Sequence, residues 1–157
     1  MKKSARIQPV LGIAEREEKK ATDAFLRVQQ NATQARQKLQ ELRDYRAEYQ
    51  QRSNLDASGG QDLLDLRQLQ DNRAFLAKLN DVIAIQQSIV EQCDAQLDTA
   101  RDHWLSKRQK THSLGRLAGE YRHQEHRAAQ ILEQKQSDEL NVLRHSWQLR
   151  QRHEEIC

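Results

Sequence analysis

Proline occurs once in the 157 residues and glycine five times, so little in the chain would interrupt a helix. Aromatic residues make up 4% and hydrophobic residues 36%, against 31% charged, which is too little apolar material for an ordinary globular core of this length. A mean hydropathy of −1.01 leaves two options: disorder, or helices that each bury only a narrow stripe. No run of about 18 apolar residues exists, so no segment is expected to span a membrane. The start of the chain has a basic flank but no apolar stretch, because Arg16, Glu17, Glu18, Lys19 and Lys20 follow almost at once. That is not a secretory signal, and the expected compartment is the cytoplasm. Cysteine is scarce too. Cys93 lies on an apolar helical position and Cys157 is the last residue, which reads as one packed thiol and one exposed thiol, not a disulfide framework.

What the chain does have is Gln, Ala, Leu, Arg and Glu, all good helix formers. Alternating steps of four and three from Ile7 reach Leu11, Ala14, Glu18, Ala21, Phe25 and Val28, and continue through Ala32, Ala35, Leu39, Leu42 and Arg46 to Tyr49. This is a heptad seam, and it predicts a first helix over about residues 8–52, with Pro9 tolerated in the first turn. Ser53 to Gly60 is the only cluster of turn formers and holds the only glycine pair, Gly59-Gly60. A hairpin turn is expected over about residues 53–60, with Ser58 and Gln61 as a capping box for the next helix. The same stepping from Leu76 passes Leu79, Ile83, Gln86, Val90, Cys93 and Leu97 to Ala100 and Trp104. Beyond Trp104 the seam turns ragged, with Lys107, Thr111 and Glu125 on it and Gly115 and Gly119 nearby, so bending or fraying is expected there. The second helix is predicted over about residues 61–150.

The resulting fold class is all-α: one long antiparallel two-helix coiled-coil hairpin over residues 1–157 with a longer second helix. Equal arm lengths would end the pairing near residue 105 and leave roughly 40 to 50 residues of the second helix overhanging. Residues 1–58 carry 12 basic and 8 acidic side chains, net +4, and residues 59–100 carry 3 and 7, net −4, so the arms complement each other. Residues 101–157 carry 11 and 8 together with all six histidines, which reads as a basic overhang that gains charge as the pH falls.

Chemistry finds little foothold. His123 and His126 share a helical face with Glu120, but there is no H-E-x-x-H pattern or second ligand pair, and solvated surface histidines are the simpler reading. Gly59-Gly60 lacks the lysine and the strand-helix context of a phosphate loop. A two-helix rod also offers no concave pocket in which to desolvate a catalytic group, so neither an enzyme nor a cofactor is expected. Positive charges after residue 100 are interleaved with Glu120, Glu125, Glu133, Asp138 and Glu139, so no dense stripe for nucleic acid forms. Aromatics near the turn say more. From a hinge centred near residue 57, Tyr45 would face roughly residue 69 and Leu42 roughly residue 72, with Phe75 and Leu79 about a turn further along. Two readings stand for this group: closure of the coiled-coil core, or an apolar patch for a partner, since Tyr45 lies off the seam.

The stretch from Leu39 to Tyr49, with its Asp44-Tyr45-x-x-Glu48-Tyr49 pattern leading into a glycine-containing turn, resembles the FliJ family of the flagellar type III export apparatus. Phe75 in the returning helix, Trp104 with Lys107 some thirty residues later, and the short-arm, long-arm plan extend the resemblance over nearly the whole chain. It implies a stalk like that of rotary ATPases, inserted in a hexameric export ATPase ring. It implies further partners in the cytoplasmic domain of the export gate, a membrane protein, and in export chaperones, with recruitment to the cytoplasmic face of the inner membrane. The family's gate contact, carried over, falls on Leu42, Tyr45, Tyr49, Phe75 and Leu79, with Val82 and Gln86 at two further positions. The ring contact would fall to the helix ends remote from the turn. The alternatives are the equivalent stalk of a virulence-type injectisome and a nucleic-acid-binding coiled coil.

Overall fold

The computed structural model describes residues 1–57 and 63–156, and these form two helices: α1, Lys3–Ala57, and α2, Leu63–Ile156. Both are longer than the heptad pattern alone suggests. The proposed turn residues Ser53 to Ala57 are still helical, while the Ser58/Gln61 capping box and Gly59-Gly60 lie outside the described residues. Because α1 begins at Lys3, Pro9 sits in the helix interior and not in the first turn, where its missing N–H removes the bond to the Ala5 carbonyl. Helix α2 runs through Gly115 and Gly119 without interruption.

The chain divides into two compact units, one of residues 17–108 and one of residues 1–16 with 109–157. Within residues 17–108 the helices run antiparallel, since rising numbers on α1 meet falling numbers on α2. Arg36 pairs with Asp94, Arg46 reaches Asn80 at 3.0 Å, and Tyr49 reaches Asn72 at 2.6 Å. The expected seam is the one that packs. Leu39, Leu79 and Ile83 form a buried cluster with Leu42 and Val90 against it, while Ala21, Ala32, Ala35 and Leu97 are buried further along. Alanines at so many seam positions of α1 let the backbones approach, and Gln86 exploits this: buried, its Nε2 donates to the Ala35 carbonyl at 3.0 Å. A buried amide with its hydrogen bond made costs little, whereas the same amide in a shifted register would be orphaned.

Residues 1–16 and 109–157 are paired as well, which corrects the expectation that pairing ends near residue 105. Ile7, Ala14 and Ala118 are buried there. The polar positions that made the seam look ragged have partners across it. Thr111 Oγ1 donates to the Ala14 carbonyl at 3.2 Å and Glu125 accepts from Ser4, while within residues 17–108 the Lys107 ammonium meets Glu17 at 3.0 Å. Only from His126 to Ile156 is every residue exposed. This unpaired tail carries five basic and five acidic side chains, so the expected basic overhang is a neutral one, and the positive excess lies in the paired stretch before it.

Candidate functional site

Seam residues face the opposite helix, and residues one position earlier project onto one flank of the pair. On α2 those earlier positions are Phe75, Lys78, Val82, Ile85 and Ile89, a second heptad track that α1 does not cover. Phe75 is 37% exposed, Val82 47%, Ile85 63% and Ile89 39%. From α1 the matching flank position is Tyr45, 50% exposed, whose ring lies 6.3 Å from Phe75 in an edge-on arrangement. Tyr49 completes the cluster, its ring 4.6 Å from Phe75 and its hydroxyl donating to Asn72 Oδ1 at 2.6 Å. Asn72 in turn donates to Ser53 Oγ at 3.4 Å. Tyr49 is thereby fixed as the floor on which Phe75 rests, and Tyr45 and Phe75 present their remaining faces outward.

The expected register was off by about two turns: Tyr45 meets Phe75 itself rather than residue 69. The physical reason is that α1 continues to Ala57 and α2 is already helical at Leu63, so each α1 residue faces one further along α2 than a hinge near residue 57 implies. The seven residues named from the resemblance divide accordingly. Tyr45, Phe75 and Val82 are exposed, and Tyr49 is half-buried against Phe75. Leu42 is packed on the Leu39 cluster, Leu79 belongs to that cluster, and Gln86 is buried and bonded to Ala35. Ile85 and Ile89 were passed over in the sequence reading. Their signal was present as the same three- and four-residue spacing, displaced by one from the seam.

The opposite flank is polar. It holds the Arg36–Asp94 ion pair and the Arg46 Nη1 to Asn80 Oδ1 hydrogen bond, both tying α1 to α2 across open surface. Exposed ion pairs add little stability, so the contrast between the flanks concerns what each offers to another molecule, an apolar track on one side and a charged edge on the other. Farther along the same unit, Trp104 stacks on Phe25 with centroids 5.4 Å apart and planes 7° from parallel. Its Nε1 donates to Thr22 Oγ1 at 2.9 Å, and the Arg108 guanidinium lies 5.4 Å over its ring. This cluster clamps the two helices together and leaves little ring face for anything else.

In the other unit the first turn of α1 has no acidic residue of its own, and α2 supplies one. Glu125 accepts from the Ser4 hydroxyl at 2.5 Å and from the Ser4 backbone N–H at 3.1 Å, capping the helix from outside. The Ser4 hydroxyl, then the Ser4 N–H, and more weakly the Lys2 charge and Lys3 N–H, hold the Glu125 carboxyl below its ordinary value against an opposing effect of burial. Lys3 lies 5.6 Å over the Tyr121 ring beside it. His123, His126 and Glu120 are all exposed, and no group of three or more potential metal ligands occurs among the described residues. None of the described helices is long and apolar enough to cross a membrane.

Compared with known proteins, residues 2–151 match the family model described as the flagellar FliJ protein. No curated protein and no solved structure matches the chain.

Proposed function

The chain belongs to the FliJ family of flagellar proteins, and we propose that it serves as a non-enzymatic, stalk-like coiled coil of the flagellar type III export apparatus, working in the cytoplasm at the inner face of the membrane. Its partners in this reading are the hexameric export ATPase, the cytoplasmic domain of the export gate, and export chaperones. The observation that carries the reading is the apolar flank built by Tyr45, Phe75 and Val82 and prolonged by Ile85 and Ile89. Exposed aromatic and aliphatic side chains held in place by a fixed tyrosine are the raw material of a binding hot spot. In this reading the partner for that flank is the export gate. The ATPase ring is assigned to the helix ends, residues 1–16 and those from Gln109 onward. Coupling there consists of contacts that favour one state of a ring subunit over another, with no reaction on this chain.

The test is hydrolysis of ATP by the purified export ATPase with and without the full chain. The reading expects the rate to rise and then saturate as the chain is added. An unchanged rate at saturating chain overturns it.

A further inference from the structure

The tail from His126 to Ile156 exposes more large apolar side chains than an isolated helix in water should. Leu132, Leu140, Leu143 and Trp147 are 58%, 59%, 63% and 64% exposed. With Ala129 before them and Gln136 between them they recur at steps of three and four, one face of a helix, and that face prolongs the seam by which α2 packs on α1 up to Glu125. We propose that a second copy of this chain covers this face, the two tails forming an antiparallel coiled coil about a two-fold axis beside Leu140.

The spacing is self-complementary in that register. An axis between residues 139 and 140 sets Leu132 opposite Trp147 of the second copy and Gln136 opposite Leu143, each contact made twice, with the two Leu140 side chains meeting at the centre. Charge agrees with the same register. On the paired helices of residues 17–108, side chains on matching flanks meet a few residues away from the seam register, as Tyr45 and Phe75 do. The equivalent offset brings Lys135 of each copy to Glu139 of the other, and neither residue has an ion-pair partner of its own among the described residues. The overlap of residues 129–150 stops short of Glu125, where Ser4 of α1 sits, so the second tail takes up the seam where α1 leaves off. The inference rests on the tail's own residues and holds whether or not the export reading does. Where both hold, self-association and ring binding compete for one face.

Sedimentation velocity of the full chain from about 1 to about 500 µM tests this, with a dissociation constant on the order of 10 µM expected. The mass should rise reversibly from 18.4 kDa toward twice that value. Leu140→Glu and Leu143→Glu, both exposed in the single copy, should hold the protein at 18.4 kDa with helicity and melting unchanged. Lys135→Glu alone and Glu139→Lys alone should each weaken the dimer about tenfold, and the double variant should restore it. With Cys93 and Cys157 replaced by serine, Gln136→Cys protein mixed with Leu143→Cys protein should crosslink as the mixed pair. A mass fixed at 18.4 kDa across the range, no restoration by the double variant, or crosslinking of each cysteine variant to itself overturns the proposal.

Discussion

Replacing Trp104 with alanine removes its burial, the Phe25 stack, the Thr22 hydrogen bond and the Arg108 contact at once, and their sum can be worked out. Truncating a fully buried tryptophan costs roughly 3–5 kcal/mol, and since Trp104 is half-buried about 2 kcal/mol of that applies. The parallel stack on Phe25 adds about 0.5–1.5 kcal/mol beyond area. Losing the Nε1 hydrogen bond adds little, because Thr22 keeps its own bond to the Glu18 carbonyl and its freed lone pair reaches water. The Arg108 contact, at an exposed site, adds about 0.5 kcal/mol. The total is about 3–4 kcal/mol, which for a chain of this length lowers the melting temperature by roughly 6–16 °C. Urea unfolding followed by circular dichroism at 222 nm measures it. Trp104→Phe preserves the stack and should cost only about 1 kcal/mol. A loss under about 1 kcal/mol for Trp104→Ala would refute the view that this cluster clamps the helices.

Three further outcomes follow from the same contacts. Gln86→Leu keeps the shape while removing the amide together with its need for a partner, so stability should stay within about 1 kcal/mol, whereas Gln86→Ala leaves a cavity and should cost about 2 kcal/mol in urea titration. Pro9→Ala restores an interior helical hydrogen bond to the Ala5 carbonyl and should raise stability by about 1–3 kcal/mol, read from the same unfolding curves. Glu125 is a carboxylate held below its ordinary value, so its cap on α1 is complete above the usual carboxylate range and is lost as the pH falls through the lowered value. The protection of the Ser4 amide relative to its intrinsic hydrogen-exchange rate should therefore fall below that pH, and Glu125→Gln should lower it at neutral pH and abolish the dependence.

The fold was legible wherever it depended on local spacing. Every seam position from Ile7 to Tyr49 and from Leu76 to Glu125 is shielded, because the heptad rule states which face must be covered and needs no knowledge of the partner. Register was not legible, since it depends on where α1 ends, and Ser53-Asn54-Leu55 read as turn formers although the helix continues through them. Cooperative elongation and tertiary contacts such as Ser53 with Asn72 outweigh propensity there. The same dependence hid the true extent of pairing. Lys107, Thr111 and Glu125 look like faults in an apolar seam until Glu17, Ala14 and Ser4 are known to lie across from them. For the candidate site, Tyr45 was visible as an off-seam aromatic and Phe75 as an aromatic on the returning helix near it. Ile85 and Ile89 were not, because an apolar residue beside a seam is read as part of it, and only the packed helix pair shows which of two adjacent tracks α1 covers.

The central claim, that the apolar flank and not the polar one is the docking face, is tested most directly by the affinity of the full chain for the cytoplasmic domain of the export gate. Calorimetric titration of Phe75→Ala should show a loss of at least about tenfold, the weight of a hot-spot side chain, while Arg36→Ala on the opposite flank should bind as the parent chain does. Equal affinities for all three proteins, or a larger loss for Arg36→Ala than for Phe75→Ala, would contradict it.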